Sequence, residues 1–405
     1  MQITQTFPND TAHPWPMPVA RTIGYAEIVR RAYAGDDLTA LTRSLVARVS
    51  GPEIDPGALM DLATVLQLQG GELAAEGRLM QKNALQIERS YQITHGNGLG
   101  PRILAFVTAG DFMANTPLDF LLHGSDAVLI LHFVDAATRT LTDVPPHDVA
   151  FMAIGEAPET RAVLGAMKLA LAQWHGRVMN RDVEMIASLG RDSVSVLLAD
   201  EPSIYAPETR RVTRTDLIQV AMGGDLALPM ILRPIGSHAG VGLCLIEDRA
   251  ALATWLRKSG AGDVYIAPYV EYRGTDGLYT KVRVVLIDGV AYASHLAQSE
   301  HWMVHYLNAD MADHPERRRA ESAWMEAFDD SFAKRHAAAF AALHRVFGLD
   351  YFGVDCAEMP DGRLLVFEVD VAMIVHDMDD AAVFPYKGPA MQKLFNGFLT
   401  AINAG

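Results

Sequence analysis

The segment that most restricts the fold spans residues 353–370, Gly-Val-Asp-Cys-Ala-Glu-Met-Pro-Asp-Gly-Arg-Leu-Leu-Val-Phe-Glu-Val-Asp. Two strand-forming runs flank Asp361-Gly362, a dipeptide that tolerates the positive φ angles of a tight hairpin. A two-residue loop there sets Asp355 directly opposite Glu368, and Pro360 beside the turn can shift this register by a bulge. Alternation then puts Glu368 and Asp370 on one face and Leu365, Phe367, Val369 and Val371 on the other, with Glu358 pointing away from the carboxylates. Carboxylates facing each other across strands repel by roughly 0.2–1 kcal/mol, which a bound cation relieves. Oxygen-only ligands suit magnesium, or manganese in its place, rather than zinc. Asp355, Glu368 and Asp370 are therefore the expected metal ligands, and a solvated hairpin face is the alternative.

A second constraint is Arg233-Pro234-Ile235-Gly236-Ser237-His238-Ala239-Gly240-Val241-Gly242, glycines between two apolar strand-like runs. Glycine lets main chain close over phosphates and present N–H groups to them. The loop lacks the Lys-Ser/Thr ending of a P-loop and precedes a strand rather than a helix, so neither that motif nor a dinucleotide fingerprint fits. A covering hairpin does, with Gly236, Ser237, Gly240 and Gly242 at the phosphates and Arg233 reaching them from the strand below. A glycine-rich hairpin without a ligand is the alternative.

Around these two motifs the chain reads as α/β. From about Ile28 to Ile93 apolar residues recur every three or four positions, interrupted by Gly70-Gly71, which predicts antiparallel helical pairs. One pair resembles a single tetratricopeptide-like unit, which must dock on something else to bury its face. At His95-Gly96-Asn97-Gly98 the pattern changes to short strands at 102–108, 127–133 and 149–154, with helices at 117–122 and 160–174. That is an open α/β sheet, and ligands in such sheets gather at the carboxyl ends of strands, here Gly110, Asp111, Asn115 and Glu156. Asn115-Thr116-Pro117 is equally a helix cap. After Gly224 strands are expected at 230–235, 241–246, 264–269, 282–287 and 291–297, and one long helix from about Glu316 to Phe347. The predicted domains are a helical region over 1–98, an α/β domain over 99–200, and a third over 201–405, split into a glycine-loop part (about 210–270) and a metal-binding part (about 271–405).

Composition closes off several functions. A chain of 405 residues has room for two or three domains and an enzyme cleft. Its net charge of -15 argues against an extended nucleic-acid surface. Cys244 and Cys356 are too few for a disulfide framework and fit a reducing cytosol. The polar start, Gln2, Thr4 and Gln5, and the shortness of the greasy run 127–133 predict no export and no membrane span.

Taken together, these residues resemble the ATP-grasp superfamily, most closely its glutathione-synthetase and ribosomal-modification-ligase-like branch. Asp355, thirteen residues to Glu368 and two more to Asp370 match the family's ligands to two magnesium ions. The segment from Arg233 to Gly242 matches its Lys-Pro strand and mobile glycine loop. Ala267-Pro268-Tyr269-Val270 looks like the hinge whose main chain holds adenine, Arg283 like the arginine near the transferred phosphate, and Arg191 stands where an earlier phosphate-binding lysine is expected. The likeness covers about 102–405. It departs in three ways: both lysines are arginines, Asp370 replaces asparagine, and Val371-Ala372-Met373-Ile374-Val375-His376 replaces the usual proline-glycine, so acceptor recognition is expected to be unusual.

The resemblance implies a carboxylate–amine ligase using ATP and magnesium, acting on small amino-acid-like acids and amines, cytoplasmic, and compatible with a homodimer. ATP would phosphorylate a carboxylate, an amine would attack the acyl phosphate, and an amide, ADP and phosphate would result. Arg283 is expected at the reacting phosphate, and His295 and Glu300 in the substrate pocket. His301 and His305, four apart, suit one helix face, but the zinc-protease pattern is absent and substrate contact or packing is preferred. Lys387 is either a carboxylate ligand or a solvated lysine before a helix. A small-molecule kinase with the same metal site, or a catalytically silent ATP-binding interaction protein, are the rival readings.

Overall fold

The computed structural model describes residues 19–224, 227–237, 240–260 and 262–404; Gln2, Thr4 and Gln5, and His238 and Ala239 of the glycine loop, lie outside them. The three-and-four spacing does fold into helices, Tyr25–Tyr33, Thr39–Val49, Pro56–Leu68 and Gly71–Ile87. The third starts at a proline, capped by Asp55, whose side chain accepts from Ala58 N–H. Gly70 and Gly71, both at positive φ, turn the chain between the last two helices. Those helices press together so closely that a Cβ on Gly77 would stand 2.7 Å from the Ala63 carbonyl oxygen. Ile28, Leu45, Ala58, Leu62 and Val65 form a small core of their own, while Met60 and Ala84 join the core of the adjoining sheet. The helical unit thus shares part of its core with the adjoining sheet.

The helical pattern ends before Ile93. Ser90–Thr94 is a strand, antiparallel to Val128–Phe133, because Tyr91 and Ile93 both point into the sheet's core. The first sheet has six strands in the order Ala20–Arg21, Ser90–Thr94, Val128–Phe133, Arg102–Val107, Val149–Met152 and Val178–Met179. Every neighbouring pair in it except the one just named is parallel, and the helices Leu118–Leu121 and Arg161–Leu171 fall where the sequence predicts them.

A four-stranded antiparallel sheet follows, ordered Cys244–Ile246, Met230–Pro234, Val264–Pro268 and Arg210–Val212. The last sheet is ordered Val290–Ser299, Tyr279–Ile287, Tyr351–Glu358, Leu364–Asp370 and Ile204–Tyr205. The expected long helix is broken into Pro315–Glu326, Phe332–Arg335 and Ala337–Phe347. The run Phe328-Asp329-Asp330-Ser331 explains the break: aspartate and serine favour local turns over helix, and the interruption lets Phe328 and Phe332 stack in the core with ring centroids 5.9 Å apart.

The carboxylate hairpin pairs Asp355 with Glu368 as the sequence predicts, by a different route. Near the turn Glu358 pairs with Leu364 and Cys356 with Val366. Met359 N–H donates to the Arg363 carbonyl, so Pro360, Asp361 and Gly362 form a three-residue loop, closed by Gly362 at φ 85°. A bulge at Phe367 then restores the Asp355–Glu368 register. The same bulge splits the apolar residues: Leu365 and Phe367 pack with Tyr272 and Tyr279, not with Val369 and Val371, which enter the main core.

Candidate active site

Arg283 and Lys281 stand two residues apart on one strand, on the face where the neighbouring strand presents Asp355 opposite Arg283. Arg283 grips Asp355 at both oxygens, Nε–Oδ1 2.7 Å and Nη2–Oδ2 3.1 Å, and donates Nη1 to the Ile374 carbonyl at 2.9 Å. Lys281 Nζ adds a contact of 2.7 Å to Asp355 Oδ2. Burial alone would raise the Asp355 carboxyl, yet these two cations hold it well below the usual carboxylate range. Lys281 is the site residue that the sequence reading missed; its period-two spacing from Arg283 was the available signal.

Arg191, the first residue of the helix Arg191–Leu197, ion-pairs with Glu368. Burial pushes Glu368 up, but Arg191 and Arg233 outweigh it and keep the group ionised. Arg233 is itself buried beside Arg191, and both effects pull its pKa down to about 10. It donates to Ser237, 2.6 Å from Nη2 to the carbonyl and 3.2 Å from Nε to Oγ, so the loop's start is folded back on the strand that carries it. Gly236, Gly240 and Gly242 all take positive φ, and a Cβ on Gly242 would meet Pro234 Cγ at 2.8 Å.

Asp370 behaves differently from its two partners. Burial, then the charge on Glu368, raises its carboxyl to about 7, and its Oδ1 accepts from Ala372 N–H at 2.8 Å. Among the described residues no group of three His, Cys, Asp or Glu side chains is disposed to hold a metal ion. Glu368 and Asp370 are two carboxylates on one face whose mutual repulsion a divalent cation would remove. Asp355 is already engaged by Arg283 and Lys281.

Two cavities meet at this cluster. One, of about 180 Å³, is lined by Pro268, Tyr269 and Val270 with Ile266, Trp302 and Phe367, and ends at Arg191, Arg233, Lys281 and Glu368. The other, of about 370 Å³, runs from Arg233, Lys281 and Arg283 past His295 to the first helix of the amino-terminal region. His295 pairs in register with Arg283 and packs on Tyr306 at 4.8 Å; burial and then the Arg283 charge keep its ring neutral.

Other expected residues lie elsewhere. Glu300 is exposed just past Val290–Ser299 and lines neither cavity. His301 and His305 share no helix face, because residues 300–305 form bends and coil; His305 borders the larger cavity. Lys387 is not solvated: it is buried, paired with Asp379 at 2.8 Å and Glu321 at 3.3 Å, and it lines the larger cavity. Asn115 ties down its own loop by exchanging hydrogen bonds of 2.8 Å with the Thr108 N–H and carbonyl. Gly110 and Asp111 line a separate cavity of about 120 Å³. Glu156 sits 3.6 Å from Arg161, its carboxyl raised by burial.

No protein-family model and no curated protein matches the sequence. Solved structures do match. A RimK-domain ATP-grasp protein from Sphaerobacter thermophilus is 16% identical, with 73% of this chain and 99% of that one covered and a TM-score of 0.41. D-alanine–D-alanine ligase from Bacillus anthracis, solved with ATP, is 14% identical over 75% of this chain and 97% of its own, with a TM-score of 0.41. VanG D-Ala:D-Ser ligase from Enterococcus faecalis is 11% identical over 75% and 99%, with a TM-score of 0.44.

Proposed function

We propose that the protein is an ATP-dependent carboxylate–amine ligase that forms an amide through an acyl phosphate and releases ADP and phosphate. The observation that carries the reading is the gathering of Arg191, Arg233, Lys281 and Arg283 where a narrow apolar cleft meets a larger chamber. Burial and the neighbouring charge of Arg191 lower the pKa of Arg233 to about 10, a cost that an anion between the two would offset. A triphosphate with its base in the cleft along Pro268–Tyr269–Val270 meets both demands.

In this reading Arg191 and Arg233 bind the phosphates, and the loop carrying Gly236, Ser237, Gly240 and Gly242 closes over them and excludes water. Glu368 and Asp370, with Asp355 as a third donor, are the carboxylates that would hold magnesium. A magnesium ion there supplies neutralisation of the phosphate charge. Arg283 and Lys281 face the transferred phosphoryl group: the substrate carboxylate oxygen bonds to the γ-phosphorus as the bond to the ADP oxygen breaks. The amine then adds to the acyl carbon, loses a proton, and expels phosphate. His295, neutral and a weak base, orients the acceptor rather than storing a proton. No side-chain nucleophile is required.

The test is turnover of ATP with mixtures of candidate acids and amines, followed by mass spectrometry. Release of ADP that needs both partners, together with an amide product, supports the ligase. A stable phosphoester selects the kinase reading instead, and ATP binding with no turnover under any pairing selects the silent binder.

A further inference from the structure

We propose that the acid taken by this site carries a large apolar or aromatic body, and that the first helix of the amino-terminal helical region forms the wall that selects it. The proposal rests on the ligase reading for its chemistry, but its geometry stands on the larger chamber alone.

That chamber is unevenly lined, with its catalytic-site charges gathered at one end. Arg233, Lys281 and Arg283 stand at the end shared with the nucleotide cleft, together with the carboxylates Asp355, Glu368 and Asp370. The opposite end is built by Tyr25, Val29 and Tyr33 of the helix Tyr25–Tyr33, with Phe120 beside them. Positions four apart lie one above the other on a helix, so these three residues form a single stripe turned to the chamber.

The stripe is held in place. Tyr25 stacks on Phe112 with centroids 4.6 Å apart and meets Phe120 edge-on at 5.4 Å. Ala26 N–H donates to Asp119 Oδ2 at 2.7 Å, and Arg30 ion-pairs with Asp377 in the segment that follows the carboxylate hairpin. Ionisable groups at this end are already engaged or neutral. Asp379 is paired with Lys387, and burial depresses His376 to about 4. A ligand whose carboxylate lies at Lys281 and Arg283 therefore meets an apolar, aromatic surface with its other end. A volume of about 370 Å³ is enough for an aromatic amino acid and small for a long peptide.

Calorimetry with the full chain, magnesium and a non-hydrolysable ATP analogue tests this directly. Phenylalanine, leucine and 3-phenylpropionate are expected to bind at least about tenfold more tightly than serine, aspartate and lysine, since burying several methylene equivalents contributes that much or more. Val29→Trp, which fills the chamber, is expected to weaken the apolar ligands by about tenfold or more while the analogue binds as before. Tyr33→Ala, at a half-exposed position, serves as a second variant with little risk to folding, and thermal melts check both. Equal or tighter binding of the polar acids, binding of none, or indifference of the apolar ligands to both variants overturns the proposal. Apolar binding with the expected pattern but no amide product would sink the ligase reading and leave the chamber assignment standing.

Discussion

Asp355 is 2% exposed and ion-pairs with both Arg283 and Lys281, so it offsets part of the charge of two largely covered cations whatever else it binds. Asp355→Asn, the natural choice for testing a metal ligand, therefore reports on stability as well as chemistry. Removing one partner of a buried charge pair costs about 3–5 kcal/mol, and denaturant melts are expected to show a loss of that order alongside lost turnover. Asp370→Asn avoids this difficulty. The Asp370 carboxyl is raised to about 7, so near neutrality the neutral amide replaces a group already half protonated, and stability at pH 7 should hold or rise. A marked loss of stability in Asp370→Asn would contradict the burial and repulsion assigned to that carboxyl. Lys281→Met should lower ATP turnover by roughly a hundredfold, as removal of one preorganised transition-state donor does, and ADP release kinetics will read it.

Strands and turns carried most of what was legible. Apolar alternation located Arg102–Val107, Val128–Phe133, Val149–Met152, Met230–Pro234 and Val264–Pro268 within a residue or two but gave no sign of the short strands Ala20–Arg21, Val178–Met179, Ile204–Tyr205 and Arg210–Val212, and the Asp355–Glu368 pairing followed from the turn. The bulge at Phe367 did not, since a three-residue loop and a compensating bulge give the same pairing at the carboxylates as a two-residue loop without one. Helical spacing overran into Ser90–Thr94 because Tyr91 and Ile93 fit either period, and only packing against Val128–Phe133 decides between them. That same pair of strands carries a titration. His132 hydrogen-bonds Ser90 Oγ at 2.9 Å, and burial, then the Arg89 charge, lowers its pKa from 6.5 to about 4. A depressed histidine contributes stability that is present above its unfolded pKa and lost as pH falls through the folded one. His132→Gln is therefore expected to flatten the loss of stability between about pH 6.5 and pH 4, by at most about 3 kcal/mol. Equal slopes for both proteins in pH-dependent melts would refute it. In the loop hairpin, Gly242→Ala should cost more than about 1 kcal/mol, because it forces positive φ on a side chain that meets Pro234.

The whole molecule joins two of its sheets tightly and the third loosely. Phe151 of the six-stranded sheet packs on Tyr351 of the carboxylate sheet at 6.1 Å, and both touch Phe398. Asn180, fully buried at φ 53°, hydrogen-bonds the Tyr351 carbonyl at 2.7 Å and N–H at 2.8 Å. One continuous core runs through both sheets, from Leu104 and Phe106 to Val354 and Val366. The glycine-loop sheet instead buries its own small set, Leu217, Met230, Leu232, Ile246, Leu252 and Val264. So small an apolar core sustains little independent stability, and the sheet is expected to open locally well below the free energy of global unfolding. Hydrogen exchange should then find the amides of Met230–Pro234 and Val264–Pro268 exchanging faster than those of Tyr279–Ile287 and Tyr351–Glu358. If the phosphates of ATP bridge Arg233 to Lys281 and Arg283, the nucleotide ties the loosely held sheet to the rigid one, and ligand that binds only the closed form stabilises it by mass action. Saturating ATP analogue with magnesium should slow exchange in the glycine-loop sheet selectively, by about a hundredfold at a hundred times the dissociation constant. Uniform protection across all three sheets, or none in the strand that carries Arg233, would show that the nucleotide does not bridge them.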